Sequence, residues 1–366
     1  MTAITTFAHG ALRHLTLRRR ARNPDIEELD YASFEDALWD FLDQKKILNG
    51  STLLIPDFFC MDVLSNIIDH GYQFELYLVD EVFQPRFDIL CEKMQANHVS
   101  VVFLFHALGI ENQVCHNANF WRLLRKDQWV IEDSVHRLVE PAAVSLKSSK
   151  HIIIDSTRKI TPFFGATLYG DKNEIGYSCA HNPSTNSYVW RAIWFWIQFQ
   201  WLLVVGKILN QPKYLIRAYD FLNSGDNLIG DSPLPARLPW IFSLLKRHIS
   251  VKKIKEVRLQ QAQVYKNLLH TLYLDYRFVL PTPYLNNTSA FENLAFFPLP
   301  FHTDFGFLLR EYLLNQGICT FIEFSDSPWA INKNVLCLPL GAHLKNTEIE
   351  LICEKINTWH AKNYQL

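Results

Sequence analysis

The chain has no paired-cysteine signature. Its seven cysteines (Cys60, Cys91, Cys115, Cys179, Cys319, Cys337 and Cys353) are scattered, odd in number and never spaced C-x-x-C. That pattern gives no zinc knuckle and no reason to expect a metal. It also argues against a disulfide framework and suits a reducing cytoplasm. An excess of charge is missing too: 36 Lys plus Arg stand against 37 Asp plus Glu, which provides no field for gripping nucleic acid. The uncharged run Ala192 to Gly206 falls short of the roughly 20 residues that cross a bilayer, and it contains Gln198 and Gln200. At the N-terminus, Arg18-Arg19-Arg20 follow the short apolar stretches. A secretory signal has the reverse order, so none is expected and a cytoplasmic location is. Internal repeats and low-complexity tracts are also lacking.

What is present is a large apolar fraction. Of 366 residues, 49% are hydrophobic and 20% charged, enough for a substantial core shared by two domains. From about Ser51 to Gly170, short apolar strands alternate with helical stretches. Thr52–Pro56, Phe74–Asp80 and Ser100–His106 read as strands, with helices over Met61–His70, Ile89–Asn97 and Asn119–Lys126 between or after them. That alternation predicts a doubly wound, mostly parallel α/β sheet, whose ligands collect at the carboxyl ends of its strands. Residues 187 to 270 read as helical. Beyond them, short strands (Phe291–Pro298, Ile318–Phe324, Val335–Leu340) mix with helices (Asp304–Gln316, Thr347–Lys362) in an α+β pattern. The expected division is a large α/β domain over 25–245, including the helical segment 187–245, and a small C-terminal α+β domain over 246–366, packed with residues 1–24.

Two motifs carry the chemistry. Val130-Ile131-Glu132-Asp133-Ser134-Val135-His136 reads as an apolar strand ending in acids and a histidine. Ile153-Ile154-Asp155-Ser156-Thr157-Arg158-Lys159 reads as a second strand opening into a turn with a serine and a lysine. An acid, an imidazole, a hydroxyl and an amine at consecutive strand ends are what a pyridoxal phosphate site needs. The acid pairs with the pyridine nitrogen, the hydroxyl binds phosphate and the lysine forms the Schiff base.

At these residues the chain resembles the DegT-like sugar aminotransferases, pyridoxal phosphate enzymes of fold type I. The landmarks occur in the family's order: Ile55-Pro56-Asp57-Phe58-Phe59-Cys60, Val79-Asp80, His106-Ala107-Leu108-Gly109, Glu132-Asp133-x-x-His136 and Ser156-x-Arg158-Lys159, then Cys337-Leu338-Pro339-Leu340 before a final helix. The resemblance implies Lys159 as the catalytic Schiff-base lysine, with Asp133, His136, Ser156, Ser33, Cys60 and Phe59 around the cofactor and His106 and Arg158 toward substrate. It further implies a keto-sugar substrate, nucleotide-linked, an amino donor such as glutamate, and a homodimer.

The resemblance breaks at one place. Where the family has a Ser-Gly-Thr turn that holds phosphate at a helix N-terminus, this chain has Ser33-Phe34-Glu35. The aromatic expected to stack on the cofactor ring is replaced by Cys60, with Phe58 or Phe59 nearby. Two readings therefore stand: an aminotransferase of surface-glycan or secondary-metabolite biosynthesis, or a non-catalytic fold-mate acting as a binding or scaffold protein.

Ordinary roles compete for each residue singled out. Lysines in such loops are usually exposed, a strand-end aspartate often forms a turn, and Ser156 could be a helix cap. Trp190, Trp194 and Trp201 form a helical stripe with Ile197 and Val204. A buried or dimer-interface helix is the plain reading of this stretch. Peripheral membrane contact through 188–205 is the sharper one, with the basic cluster Lys246, Arg247, Lys252, Lys253, Lys255 and Arg258 in support.

Overall fold

The computed structural model describes residues 4–5, 21–157, 165–176, 187–209, 211–226, 228, 234–270, 272, 291, 293–302, 305–331, 333–341 and 343–363. Arg158 and Lys159 lie outside the described residues.

A seven-stranded sheet dominates the N-terminal half. After β1 (Ile4–Thr5), its strands are β2 (Ile26–Tyr31), β3 (Thr52–Pro56), β4 (Gln73–Tyr77), β5 (Val99–Phe105), β6 (Trp129–Ser134), β7 (His151–Ser156) and β8 (Ala166–Asp171), in spatial order β2-β8-β7-β6-β5-β3-β4. β3 to β7 run parallel, and β8 is antiparallel to both its neighbours. Every residue of β3, β6 and β7 is buried. This is why those strands read as almost unbroken apolar runs: helices cover both faces of a parallel sheet. The expected strands agree with β3 to β5 to within a few residues, and the two motif-bearing segments are β6 and β7. The strand at 26–31 was not expected, because Ile-Glu-Glu-Leu-Asp-Tyr carries three acids. It forms at the sheet's edge, where hydrogen bonding to β8 and a half-buried face suffice.

Helices α1 (Phe34–Gln44), α2 (Met61–Asp69), α3 (Phe87–Met94) and α4 (Ala118–Leu123) follow strands. Ser33 starts α1 by accepting the Asp36 N–H at 3.0 Å. Ala37, Leu38, Phe41 and Leu42 of α1 then pack into the main core.

Next come α5 (Ser187–Leu209) and α6 (Pro212–Asp226), which lie against each other, then α7 (Trp240–Lys246) and α8 (Val251–Leu268). The C-terminal part builds a second, smaller sheet from β9 (Phe297–His302), β11 (Phe321–Glu323) and β12 (Lys333–Leu338), ordered β11-β12-β9 and antiparallel throughout. β10 (Ile318–Cys319) pairs separately with Ile4 and Thr5. Helices α9 (Phe305–Asn315) and α10 (Asn346–Asn363) complete this part. β9 lies later than the stretch 291–298 that its apolar pattern suggested. Pro298 and Pro300 sit inside it, tolerable because β9 is an edge strand.

The basic cluster proposed from the sequence does not form one surface. Arg258 is buried, with its guanidinium donating to the Leu294 and Ala295 carbonyls at 3.0 and 2.7 Å. Burial pushes its pKa down to about 9. Lys246 is buried as well, 3.4 Å from Asp30 and 3.6 Å from Asp155. Both cations are fixed inside the fold. Among the described residues, no helix is long and apolar enough to cross a membrane.

Candidate active site

The site grows out of β6. Successive side chains of a strand point to opposite faces, so Glu132 and Asp133 are parted by the sheet even though they are neighbours in sequence. Asp133 is buried at the carboxyl end of β6, and its Oδ1 accepts the Val135 N–H at 3.0 Å, which turns the chain toward His136. The imidazole of His136 is fully buried. Its Nδ1 accepts the Leu108 N–H at 3.1 Å, so the proton of the neutral ring sits on Nε2, 3.3 Å from Glu323 Oε1.

Gly109 makes this approach possible. Its φ is +91°, and a Cβ there would lie 2.2 Å from the Asn293 carbonyl oxygen and 2.8 Å from that of His136. Only glycine allows both the conformation and the contact.

Asp133, Val135 and His136 line a pocket of about 80 Å³ with Phe105 at the end of β5 and Ser156 at the end of β7. Phe59, Cys60 and Val63 form another wall, where β3 passes into α2. Phe34 and Glu35 enter from the first turn of α1, and Phe324 enters from the small domain. The pocket lies where ligands of parallel α/β sheets collect. Of the residues singled out from the sequence, the fold thus brings together Asp133, His136, Ser156, Phe59 and Cys60.

Ser33 and His106 are not among the pocket's lining residues. The Ser33 hydroxyl accepts from the Asp36 N–H and donates to Asp36 Oδ2 at 2.7 Å. Asp36 Oδ1 accepts the Ala236 N–H at 2.8 Å. Burial pushes the Asp36 carboxyl up to about 7, against the pull of these donors. His106 is fully buried with Glu132 on the other side of β6. Its Nδ1 accepts the Asn112 N–H at 3.0 Å, and its Nε2 donates to Glu132 Oε1 at 2.8 Å. Its side chain lies between Glu132 and the Asn112 main chain, away from the pocket's lining.

The same arrangement repeats at His151, which opens β7. Its Nδ1 accepts the Lys147 N–H at 3.2 Å, and its Nε2 lies 3.2 Å from Glu132 Oε2. Burial raises the Glu132 carboxyl, but His106 and His151 outweigh it and hold the group well below the ordinary carboxylate range. Burial lowers the His106 pKa despite Glu132, and its Nδ1, which accepts a main-chain N–H, carries no proton. Arg137 supplies the balancing charge, 3.4 Å from Glu132 and 3.0 Å from Glu111.

Cys115 Sγ lies near His106 and Glu132, with the ligand atoms of the three within 4.8 Å of one another. The hydrogen bonds argue against a cation there. His106 Nδ1 is occupied by a main-chain N–H, leaving its proton on Nε2, and Arg137 Nη1 sits 3.4 Å from that nitrogen.

Phe324 of the pocket and Glu323, which lies behind it against His136, carry no signal in the sequence. Glu323 ends β11 and Phe324 follows it, taking φ 45°, a rare conformation for a bulky side chain. Its ring stacks on His136 with centroids 5.7 Å apart. No local pattern marked either residue, since their partners stand nearly 190 positions earlier in the chain. Phe58, the alternative ring-stacking aromatic, instead packs against Phe83, Phe324 and Trp329.

No sequence-family profile and no curated protein sequence matches the chain. Solved structures do. A putative sugar aminotransferase, Spr1654 from Streptococcus pneumoniae in its PLP form, superposes with a TM-score of 0.61 at 13% identity, over 99% of this chain and 98% of that one. The aminotransferase TlmJ from Streptoalloteichus hindustanus gives 0.59 at 12% identity over 99% of both chains. A DegT DnrJ EryC1 StrS aminotransferase from Brucella abortus gives 0.57 at 15% identity, over 91% of this chain and 86% of that one. Likeness at such identities rests on the course of the backbone through both sheets, and it establishes that the chain has the type I fold of pyridoxal phosphate enzymes, a large α/β domain with a smaller α+β domain.

Proposed function

We propose that this protein is a pyridoxal phosphate-dependent aminotransferase acting on a keto-sugar. The observation that carries the reading is the convergence of Asp133, His136, Ser156, Phe59 and Cys60 on one pocket at the carboxyl ends of the parallel strands. These side chains fit the cofactor's ring end. A buried carboxylate suits a protonated pyridine nitrogen, Phe59 and Cys60 offer an apolar wall, and Ser156 offers a hydroxyl.

The α1 end fits less well. Ser33 is committed to Asp36, and Glu35 brings an acid where a phosphate dianion favours N–H donors. A phosphate contact would therefore come from Ser156. When bound, the cofactor supplies an electron sink for proton removal at the carbon bearing the amine.

The chain's own residues do the rest. Asp133 would hold a proton on the ring nitrogen of a bound cofactor. His136 is oriented by the Leu108 N–H and Glu323 to face the pocket. Lys159, three residues beyond Ser156 in the sequence, would hold the cofactor and would serve as general base and acid. A nucleotide-linked sugar, glutamate as donor and a homodimer are the finer parts of this reading, and they rest on the family resemblance.

The occupied Ser33 hydroxyl and the acid at Glu35 favour a second reading, a non-catalytic fold-mate. Incubating the protein with pyridoxal phosphate, reducing with borohydride and mapping the labelled peptide separates the two. A label on Lys159, lost in Lys159→Ala, supports the enzyme and opens a screen of keto-sugars. Absence of label at saturating cofactor overturns it in favour of the binding protein.

A further inference from the structure

We propose that the outward face of α5 is a docking surface for an anionic lipid bilayer, on which the helix lies in the plane of the interface. Helix α5 has 23 residues, about 35 Å of helix. Its inward residues Ala192, Ile193, Trp196, Phe199 and Leu203 are buried in a separate core cluster with Ala218 and Leu222 of α6. Its outward positions ought then to be polar, yet Trp190, Trp194, Ile197, Trp201, Val204 and Ile208 are 40 to 75% exposed. They recur at alternating steps of four and three, which draws one continuous stripe along the helix. An apolar stripe of this length is unusual on a face meant for water.

The composition of the stripe and its charge point to lipid. Three of its six members are tryptophans, whose apolar rings with one N–H suit a boundary that is greasy on one side and wet on the other. Over α5, the turn and α6, Arg191, Lys207, Lys213 and Arg217 stand against Asp220 and Asp226, a net positive charge. A second copy docked by the same face would bring two such positive hairpins together, whereas an anionic leaflet attracts each of them. Because no described helix is long and apolar enough to span a membrane, contact is parallel to the surface. The charge comes from the hairpin itself and not from the cluster at 246–258, in which Lys246 and Arg258 are buried.

The test is co-sedimentation of the full chain with vesicles of phosphatidylcholine alone and of phosphatidylcholine mixed with phosphatidylglycerol. Binding should require the anionic lipid, weaken with salt, and shift the tryptophan emission to the blue. The double variant Trp194→Ala/Trp201→Ala should bind roughly tenfold or more weakly. So should Arg191→Gln/Lys213→Gln, which leaves the apolar face and its packing intact and guards against a folding defect. Failure to bind either vesicle, or equal binding by wild type and both variants, overturns the proposal. So does a tryptophan variant that turns a dimer into a monomer on size exclusion with vesicle binding unchanged, which would assign the stripe to a second copy.

Discussion

Glu132 and Asp133 are adjacent on β6, both buried, and both near a histidine whose Nδ1 accepts a main-chain N–H, yet they face opposite sides of the sheet toward opposite tasks. On the Glu132 side, each carboxylate oxygen meets an imidazole Nε2, from His106 at 2.8 Å and His151 at 3.2 Å, and Arg137 balances the charge. These contacts tie the end of β5 and the start of β7 to β6. On the Asp133 side, the carboxylate opens on a pocket with a hydroxyl, an aromatic wall and a residue from the other domain. A buried carboxylate whose oxygens are both matched by fixed donors is a fastening. Glu132 also lines a cavity, of about 170 Å³, but its oxygens already face His106, His151 and Arg137, whereas the pocket on the other side joins Asp133 to His136 and Ser156.

The sharpest way to break that comparison is to truncate each acid in turn. Glu132→Ala leaves two buried imidazole N–H groups and a guanidinium short of their acceptor, and should cost about 3–5 kcal/mol in urea unfolding. Asp133→Asn should cost about 1 kcal/mol or less in the absence of cofactor, while pyridoxal phosphate binding followed by absorbance falls at least roughly tenfold. Similar losses of stability in both variants would show that the two sides are alike.

Acid should distinguish the fastening next. The folded-state pKa of Glu132 is held below its ordinary value. Its stabilisation is therefore complete above about pH 4.5 and is lost as pH falls through the folded value. The advantage of wild type over Glu132→Gln, about 2–3 kcal/mol at neutral pH, should shrink between pH 5 and pH 3 in parallel melting curves.

Asp36 has the opposite sign. Its folded pKa is raised to about 7, so folding favours the protonated carboxyl, and stability is lost as pH rises from about 4 through 7. An asparagine can accept from the Ala236 N–H and donate to the Ser33 hydroxyl. Asp36→Asn should therefore be more stable than wild type at pH 8, by on the order of 1–3 kcal/mol, and gain less at pH 5. A gain independent of pH would show that Asp36 is not the titrating group.

The smallest effect belongs to Glu323→Gln. The amide keeps an oxygen beside His136 Nε2, from which the carboxylate stands 3.3 Å away, so denaturant unfolding should shift by less than about 1 kcal/mol. A larger loss would make Glu323 a fastening of the Glu132 kind.

Much of the large domain was legible from residues alone. Parallel strands buried on both faces leave long apolar runs, so β3, β5, β6 and β7 stood out, and the acids at the end of β6 fell at the expected carboxyl edge. The edge strand β2 and the later start of β9 did not, because an acid-rich strand and a proline-bearing strand owe their existence to a neighbour's hydrogen bonds. Within the site, Asp133, His136 and Ser156 could be picked out from motif spacing. Glu323 and Phe324 could not, since their partners lie far away in the sequence.

By itself the sequence determined the alternation of strand and helix, the opposition of Glu132 and Asp133 across one sheet, and the presence of a tryptophan stripe along one helix. Those are consequences of local periodicity, which backbone geometry imposes wherever the strand or helix packs. Only the tertiary structure decided which acid shares a pocket with His136 and Ser156, that His106 fastens strands, that Ser33 spends its hydroxyl on Asp36, and that Lys246 and Arg258 lie inside while the α5 stripe lies outside. These outcomes depend on which donors, acceptors and apolar faces from distant segments come within a few ångströms of one another, and the order of residues along the chain does not fix those distances.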